Sequence, residues 1–395
     1  MNFSDMLGFA DIGQLSRIAS VYRIECNGHS KNELIQSILS TVSRNDVFEA
    51  QISGMKVEEF RFLNTLLFET RDSFSLEELI ARVQQGKFVE AGKAEPVPES
   101  NKIEAAKPKR SRKKEEQTQE KEMAPRDMIV RFKHQGWLFN GFSGTNRYLF
   151  QVPQDLRIRF RETLKRKFAA ELEYTDEPTM YRDEQRLMSD DIRQVLHYIY
   201  HNEVQLAADG SMYKRFSAQL LERLAVREEL PGKGEWRFGY GKHFHQYPNR
   251  MSHLFDYCCS MRYIEENNLS LSVTAAGKER LENALIDETE QLYKLWLKLY
   301  KNPIPNIMAL AQWINSLAEQ WVTVASIRKV LLPLIKPFYY DDAITVLEQR
   351  LIGMMVHLGL LRLGEHETHG PVIRMTIAGR AVMSGIDLNE QRFSF

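Results

Sequence analysis

The sequence predicts a mainly α-helical protein with small β-hairpins, and three observations support that prediction. Apolar residues recur at the spacing of an amphipathic helix along most of the chain, as in Leu292, Leu295 and Leu299. Alternating apolar stretches are short and come in pairs around polar turns, which is typical of hairpins. One phrase also occurs twice, as Val273 to Lys278 (Val-Thr-Ala-Ala-Gly-Lys) and as Met375 to Arg380 (Met-Thr-Ile-Ala-Gly-Arg).

In both places the repeated phrase follows a helical stretch and a short polar turn, and it precedes another helix. That layout suits the second wing strand of a winged-helix domain, in which Thr and Gly turn the chain into the next helix. Repeated architecture of this kind points to a tandem array of small binding modules rather than to one large catalytic domain.

Length and composition limit the alternatives. The 395 residues are enough for two to four domains. The 53 basic and 53 acidic residues cancel, so any nucleic-acid affinity must come from local patches. The 3 cysteines form no disulfide framework, which predicts reduced thiols and a cytoplasmic, nucleoid-associated location. We expect no signal peptide and no membrane span, because no apolar run approaches about 18 residues.

Residues 1–45 are predicted to form a small helical module. Apolar residues at helical spacing precede a turn at Gly28, and Ser30 is placed to cap the next helix. This helix-extension-helix pattern resembles the SAP and Rho N-terminal modules, which bind DNA or RNA. Lys31 is therefore a candidate phosphate contact, and a helical hairpin that only packs on its neighbour is the alternative.

Residues 55–90 and 123–170 are predicted to form a first winged-helix-like domain, interrupted by a disordered linker over residues 91–122. Its strands are predicted at residues 137–141 and 147–152, around a turn rich in Gly, Ser and Asn.

The centre of that linker, residues 107–114, has six basic residues in eight. Lys109, Arg110 and Lys113 are candidates for non-specific phosphate contacts. The alternative is a solubilising linker whose charge is partly cancelled by the acidic residues that follow it.

A basic helix is predicted next, from Leu156 to Lys167. Its charges are nearly all positive, which favours a phosphate-facing surface and makes Arg157 and Arg161 candidate contacts. A solvated helix face without a ligand is the alternative.

Residues 187–285 are predicted to form a second winged-helix domain. A turn at Asp209 and Gly210 precedes a helix that is predicted to run through Leu224. Lys214 and Arg215 fall at the first turn of this helix, where backbone N–H groups and the helix dipole also attract phosphate. Both are therefore candidate phosphate contacts.

The stretch over residues 233–245 interleaves aromatic residues with cations, among them Arg237 and Lys242. Such a surface can stack on bases and neutralise phosphates together. The alternative is that its aromatic side chains pack into the core and the cations merely surround them.

Residues 288–395 repeat the plan with longer helices, as a third winged-helix-like domain. Residues 358–363 and 372–376 are predicted to form its hairpin, around a polar loop.

Several motifs together resemble the bacterial helicase-associated proteins related to the N-terminal domain of XPB-type DNA repair helicases. They are Gly28 to Leu34, Gly136 to Phe139, Tyr148 to Pro153, Asp209 to Arg215, and the two strand ends, Thr274 with Gly277 and Thr376 with Gly379. The stretch Asp209 to Arg215 and the strand ends are the most specific, and no part of the sequence matches the helicase motor domains. The resemblance implies tandem winged helices, DNA association and contact with a helicase or repair assembly, and it identifies no reaction.

No catalytic motif is recognisable. Gly234 and Gly239 have the spacing of a phosphate-binding loop, but Tyr240 and Gly241 occupy the places of its Lys and Ser/Thr, so we expect no ATPase. No arrangement of Ser, His and Asp or of Cys and His can be singled out as a nucleophilic site.

Two histidine pairs, His243 with His245 and His366 with His369, lack the spacing of a helical zinc site. We interpret them as surface-loop histidines and expect neither a metal nor another cofactor. The adjacent cysteines, Cys258 and Cys259, lie on an apolar helix and are interpreted as core residues.

The sequence therefore favours a non-enzymatic DNA-binding adaptor that works with a helicase or with a repair or transcription assembly. Membranes and small-molecule substrates are not expected partners. A protein–protein scaffold or a transcriptional regulator without strong DNA affinity is the alternative, and an undetected nuclease stays open.

Overall fold

The computed structural model describes residues 1–25, 30–69, 71–88, 123–142, 144–232, 241–243, 245–267, 269–283 and 286–385. These residues form many short helices and a few small antiparallel sheets, which confirms the predicted mainly helical class. None of the helices in the described ranges combines the length and the apolar character needed to cross a bilayer.

The α-helices are short and follow one another closely. They are α1 (Phe3–Phe9), α2 (Ile12–Val21), α3 (Lys31–Ser43), α4 (Asn45–Ser53), α5 (Val57–Leu67), α6 (Leu76–Gly86), α7 (Pro125–His134), α8 (Gln154–Ala169), α9 (Leu187–His201), α10 (Lys214–Leu221), α11 (Asn249–Ser260), α12 (Ala275–Glu282), α13 (Thr289–Tyr300), α14 (Ile307–Leu317), α15 (Val324–Leu331), α16 (Ala343–Thr345), α17 (Gly353–His357) and α18 (Ile377–Ser384). A π-helical segment, Val346–Ile352, joins α16 to α17, and the three together are called the 343–357 helix below.

The strands form three antiparallel sheets. They are β1 (Phe139–Asn140), β2 (Phe150–Gln151), β3 (Met180–Asp183), β4 (Val204–Gln205), β5 (Ile264–Asn267), β6 (Ser270–Val273), β7 (Val322–Thr323), β8 (Leu361–His366) and β9 (Gly370–Met375). The sheet orders are β1-β2, β4-β6-β5 and β3-β8-β9-β7.

The chain divides into two compact units. Unit 1 comprises Met1–Glu59 and Ser73–Gln154, and unit 2 comprises Phe60–Asp72 and Asp155–Phe395. Helix α5 therefore begins in unit 1 and continues in unit 2, while α8 lies in unit 2 from its second residue, Asp155, onward. The domain boundaries predicted from the sequence stay predictions.

Unit 1 contains the predicted N-terminal helices, and the expected cap at Ser30 is formed, as is a second one at Ser75. Ser30 Oγ accepts the backbone N–H of Glu33 at 3.3 Å, and Ser75 Oγ accepts that of Glu78 at 3.1 Å. Each bond satisfies one of the free N–H groups at a helix start. Helix α7 ends before Gly136, whose φ of 70° is the left-handed conformation that glycine adopts readily.

The strands of unit 1 are shorter than the sequence predicted. Phe139 and Asn140 pair with Gln151 and Phe150. Arg147 belongs to a 3₁₀ turn, Gly144–Tyr148, rather than to a strand, so the prediction of a strand from residue 147 is wrong. The Gly, Asn and Ser residues of this connection favour a tight turn over an extended one.

A third extended segment completes the sheet of unit 1. Phe74 bridges Phe150, and the two residues exchange backbone hydrogen bonds of 2.9 and 2.7 Å. The order across the sheet is therefore Phe74, β2, β1. In chain order these are the first, third and second segments.

Unit 2 contains two segments with the same order of elements. Repeat A (residues 187–282) runs α9, β4, α10, α11, β5, β6 and α12, with the sheet order β4-β6-β5. Repeat B (residues 307–384) runs α14, β7, α15, the 343–357 helix, β8, β9 and α18, with the sheet order β7-β9-β8. Strand β3 adds to the outer edge of β8. Helix α10 ends at Leu221, earlier than the predicted Leu224.

In repeat A, the repeated phrase turns the last strand into α12, as the sequence predicted. Thr274 Oγ1 accepts the N–H of Gly277 at 3.1 Å and donates to the carbonyl of Arg262 at 2.6 Å. A Cβ at Gly277 would lie 2.2 Å from the carbonyl oxygen of Tyr263. Glycine is therefore needed because the helix start presses against the turn that follows α11.

In repeat B, the phrase makes the same contacts. Thr376 Oγ1 accepts the N–H of Gly379 at 2.8 Å and donates to the carbonyl of Gly359 at 2.8 Å. A Cβ at Gly379 would lie 2.5 Å from the carbonyl oxygen of Leu360. The sequence repeat thus corresponds to one repeated piece of geometry, a threonine cap and a close backbone approach.

Candidate nucleic-acid interface

The start of α10 presents two of the predicted cations to solvent. Lys214 and Arg215 are exposed and occupy the first turn of the helix, as expected. The Arg215 guanidinium lies 4.5 Å from the centre of the Phe216 ring and donates to Oε1 of Gln205 at 3.2 Å. Lys214 is the more available of the two for an external anion.

Lys242 is engaged within repeat A. Its ammonium forms an ion pair with Glu266, and its backbone N–H donates to Oδ1 of Asp256 at 2.9 Å. A phosphate would have to compete with the Glu266 carboxylate for this cation. The prediction of a phosphate contact is therefore less favoured at Lys242 than at the start of α10.

The two predicted cations of α8 also have protein partners. The Arg157 side chain is buried, donates to the carbonyl of Glu69 at 3.0 Å and lies 3.8 Å from Oδ1 of Asp72. The Arg161 guanidinium lies 5.8 Å from the centre of the Phe68 ring. The Arg157 guanidinium is buried and bonded to the chain at Glu69, so phosphate binding by this guanidinium is not favoured.

Lys31 is half-buried in unit 1, and its ammonium donates to the carbonyl of Gly8 at 2.8 Å. The remaining predicted phosphate contacts lie outside the described residues. They are Lys109, Arg110, Lys113 and Arg237.

The third helix of each repeat in unit 2 is buried. All but two of the 12 residues of α11 are buried, and α11 packs on α13 and α17. The 343–357 helix buries most of its length as well, from Ala343 to Val356. Helix α11 cannot enter a DNA groove in this arrangement, because a groove-binding helix needs one exposed face along its length. The 343–357 helix keeps only a narrow row of exposed or half-buried residues, among them Ile344 and Gln349.

An ion-pair cluster links these two buried helices. Arg250, at the start of α11, lies 2.6 Å from Asp191 and 3.6 Å from Glu184. Glu184 is also 3.0 Å from Nδ1 of His357, at the end of α17. Burial alone would raise the pKa of Glu184, but its hydrogen bond with His357 and the charges of Arg182 and Arg250 outweigh burial and lower it. Glu184 therefore stays ionised and ties the two repeats together.

Helix α7 of unit 1 has an exposed basic face that the sequence analysis did not identify. Arg126, Lys133 and His134 lie on it, and Arg17 of α2 lies nearby. The closely spaced cations in the last turn of α7 were visible in the sequence. Their proximity to Arg17 was not, since more than 100 residues separate the two segments.

The histidine pairs are placed differently from each other. His243 is buried against Tyr247 and Phe255, so its interpretation as a surface-loop histidine is wrong. His366 and His369, in the turn between β8 and β9, pair with carboxylates on the segment before β3. Nε2 of His366 lies 2.9 Å from Oδ1 of Asp176, and Nδ1 of His369 lies 2.9 Å from Oε1 of Glu173. In the described part of the chain, no group of three or more His, Cys, Asp or Glu side chains is arranged to hold a metal ion.

The two adjacent cysteines are free thiols of α11. Cys258 is fully buried, which confirms its interpretation as a core residue, and Cys259 is half-buried. Burial raises the pKa of Cys259 to about 12, so this thiol is a poor nucleophile at neutral pH.

Comparisons with protein-family models, with curated proteins and with solved structures find no match to this chain.

Proposed function

We propose that repeats A and B, together with α6, α7 and the three extended segments of unit 1, are winged-helix modules. The support is their common strand order, in which the third strand lies between the first and the second. A further support is that two helices separate the first strand from the second in each module. Small antiparallel sheets with this order and these helices are typical of the winged helix.

We further propose that the chain is a non-enzymatic DNA-binding adaptor built from these modules. The observation that carries the proposal is the tandem repetition of one order of helices and strands in repeats A and B. The sequence resemblance to helicase-associated proteins supports a helicase or a repair or transcription assembly as the protein partner.

The burial of the third helices suggests different roles for the two units. In unit 2 the third helices of both repeats pack into a common core, so this unit suits protein scaffolding, with the start of α10 as a phosphate contact. In unit 1 the corresponding helix, α7, keeps an exposed basic face. Nucleic-acid contact is therefore assigned chiefly to unit 1.

Titration of labelled DNA tests the proposed function. The full chain is mixed with duplex and with single-stranded DNA of equal length at several salt concentrations, and fluorescence anisotropy is measured. We expect binding at low salt and a steep loss of affinity as salt rises, because bound phosphates release counterions. No binding to either DNA at the lowest salt would remove DNA contact from the proposal and leave the scaffold.

A double variant tests whether Lys214 and Arg215, at the start of α10, contact DNA. Lys214→Glu with Arg215→Glu is expected to weaken DNA binding, whereas Lys301→Glu with Lys336→Glu, which makes the same charge change at exposed positions of unit 2, is expected to have little effect. Equal affinity of the first variant and the unaltered chain would exclude the start of α10 as a DNA contact.

The scaffold role is favoured by the buried third helices, and it has a separate test. The full chain, immobilised and exposed to a lysate of its own cell, should retain a helicase or another DNA-processing protein after nuclease treatment. Loss of that protein on nuclease treatment would mean that DNA, rather than the chain, bridges the two.

A further inference from the structure

The exposed face of α7 is polar and mostly basic, while its opposite face is apolar. Met128, Ile129 and Phe132 are buried in the core of unit 1. Arg126 and Asp127 are exposed on the other side of the helix, where Val130 is 45% exposed and Lys133 and His134 are half-buried. The third helix of this module thus keeps one face accessible to solvent, unlike α11, which is buried along its length.

Helix α2 packs on α7 and brings a further cation to that face. Tyr22, just after α2, donates its hydroxyl hydrogen to the carbonyl of Gln135 at 2.9 Å and fixes the two helices in contact. Arg17 is exposed on α2, and its charge disfavours the protonated forms of Lys133 and His134.

Burial and neighbouring cations lower the pKa values of Lys133 and His134, so Lys133 stays charged near pH 7 while the His134 imidazole is mostly neutral. Burial and then Arg17 lower the pKa of Lys133, against which Asp11 acts weakly. Burial, Arg17 and Lys133 all lower the pKa of His134. The carboxylate of Asp11 is already engaged, because it accepts the N–H of Gln14 at 2.7 Å as the cap of α2.

The helix dipole accounts for only part of this arrangement. Cations near the C-terminus of a helix are stabilised by its partial negative charge, which suits Lys133 and His134. Arg17 lies in the middle of another helix, where that stabilisation is missing. The Lys133 ammonium lies 5.8 Å from the centre of the Phe150 ring, which favours a defined position for it.

We propose that Arg17, Lys133 and His134 form a phosphate-binding site for the nucleic-acid backbone, with Arg126 extending it along α7. A phosphate placed between α2 and α7 offsets the repulsion between Arg17 and Lys133 and accepts charge-assisted hydrogen bonds from them, while the His134 ring donates an N–H. This inference rests on the proposed function and assigns its principal phosphate contact to residues that the sequence analysis did not name.

The test compares charge-neutralising variants of the full chain on the same labelled duplex and single-stranded DNA. Arg17→Gln with Lys133→Gln removes two positive charges from the site. We expect an affinity loss of at least about tenfold at low salt, and a decrease of about 2 in the slope of log affinity against log salt on duplex DNA. Lys301→Gln with Lys336→Gln is the matched control and should leave both quantities unchanged.

A rescue variant separates loss of charge from loss of structure. Lys133→Arg keeps the positive charge, so Arg17→Lys with Lys133→Arg should bind nearly as well as the unaltered chain. Thermal unfolding of all variants should give similar midpoints, since the altered groups are exposed or half-buried.

The outcomes distinguish the two proposals. If the unaltered chain binds neither probe, the proposed DNA-binding function fails, and this site fails with it. If the unaltered chain binds DNA and the Arg17→Gln, Lys133→Gln variant binds with the same affinity and salt slope, the site between α2 and α7 is overturned while DNA binding stands.

Discussion

Repeats A and B have the same elements, yet they meet one structural demand with different residues. After its third helix, each repeat has a residue in the left-handed conformation. It is Arg262, with a φ of 54°, in repeat A and Gly359, with a φ of 71°, in repeat B. A Cβ at Gly359 would lie 2.9 Å from the Cα of Gln185, whose segment packs against this turn. The turn alone therefore tolerates arginine, and it is the neighbouring backbone in repeat B that excludes any side chain.

The third helices of the two repeats also differ in how they hold a buried arginine. Arg250 of repeat A is fully buried between two carboxylates, those of Asp191 and Glu184. Arg350 of repeat B is paired with Asp341 at 2.8 Å. The same architecture thus accommodates an arginine between two carboxylates in repeat A and an arginine beside Asp341 in repeat B.

The largest expected effect tests this difference. Arg250→Met leaves the buried Asp191 without its cation and removes one of the cationic partners of Glu184, which keeps Arg182 and His357, so it should lower the free energy of unfolding by about 3–5 kcal/mol. Arg350→Met leaves the buried carboxylate of Asp341 without this cation and should lower the free energy of unfolding by less, about 1–3 kcal/mol. Urea unfolding of both variants provides the measurement. Equal losses would show that the second carboxylate at Arg250 adds nothing.

The glycines of the repeated phrase should behave alike in the two repeats. Gly277→Ala and Gly379→Ala each push a Cβ into a backbone carbonyl and should destabilise the protein by about 2–3 kcal/mol, with Gly277→Ala the worse. Gly385→Ala is the matched control, since its Cβ would meet nothing closer than 3.5 Å. Unfolding midpoints like that of this control would contradict the close approach at either site.

Two buried groups in the third helix of repeat A, Asp256 and His253, are expected to make the free energy of unfolding depend on pH in opposite directions. Burial raises the pKa of Asp256 from 3.8 to about 6, so the folded protein takes up this proton first, and stability from this group rises as pH falls from about 6 to about 4. Burial lowers the pKa of His253 from 6.5 to about 4, so stability from this group is lost as pH falls through the same range.

The two effects oppose each other, and a single variant should separate them. Asp256→Asn removes the first, so the variant should lose about 2 kcal/mol more than the unaltered chain between pH 6.5 and pH 4. Urea midpoints across this range provide the measurement. A variant with the same acid dependence as the unaltered chain would show that Asp256 is ionised there without penalty.

The smallest expected effect is at the left-handed turn itself. Arg262→Gly relieves a backbone conformation that costs a residue with a side chain about 1 kcal/mol, so it should stabilise repeat A by about 0.5–1 kcal/mol. Gly359→Ala in repeat B should destabilise instead, because the added Cβ meets Gln185. Thermal unfolding of the two variants should therefore shift in opposite directions, and shifts of the same sign would refute this account of the turn.

Local patterns in the sequence determined the helices, their caps and the repeated phrase. Ser30, Ser75, Thr274 and Thr376 cap the helices that follow them because the bond from a side chain to a nearby N–H depends only on neighbouring residues. The same local dependence explains why the class of fold was predictable, while the short strands β3, β4 and β5, which depend on distant partners, were not identified.

Only the tertiary structure decided which surfaces are available to a ligand. A charge run has the same spacing whether its helix is covered or exposed, so the sequence could not show that Arg157 is buried, that α11 lies in the core of unit 2, or that Arg17 lies beside Lys133. Burial and the meeting of distant helices are properties of the packed chain, and the binding surfaces of this protein follow from them.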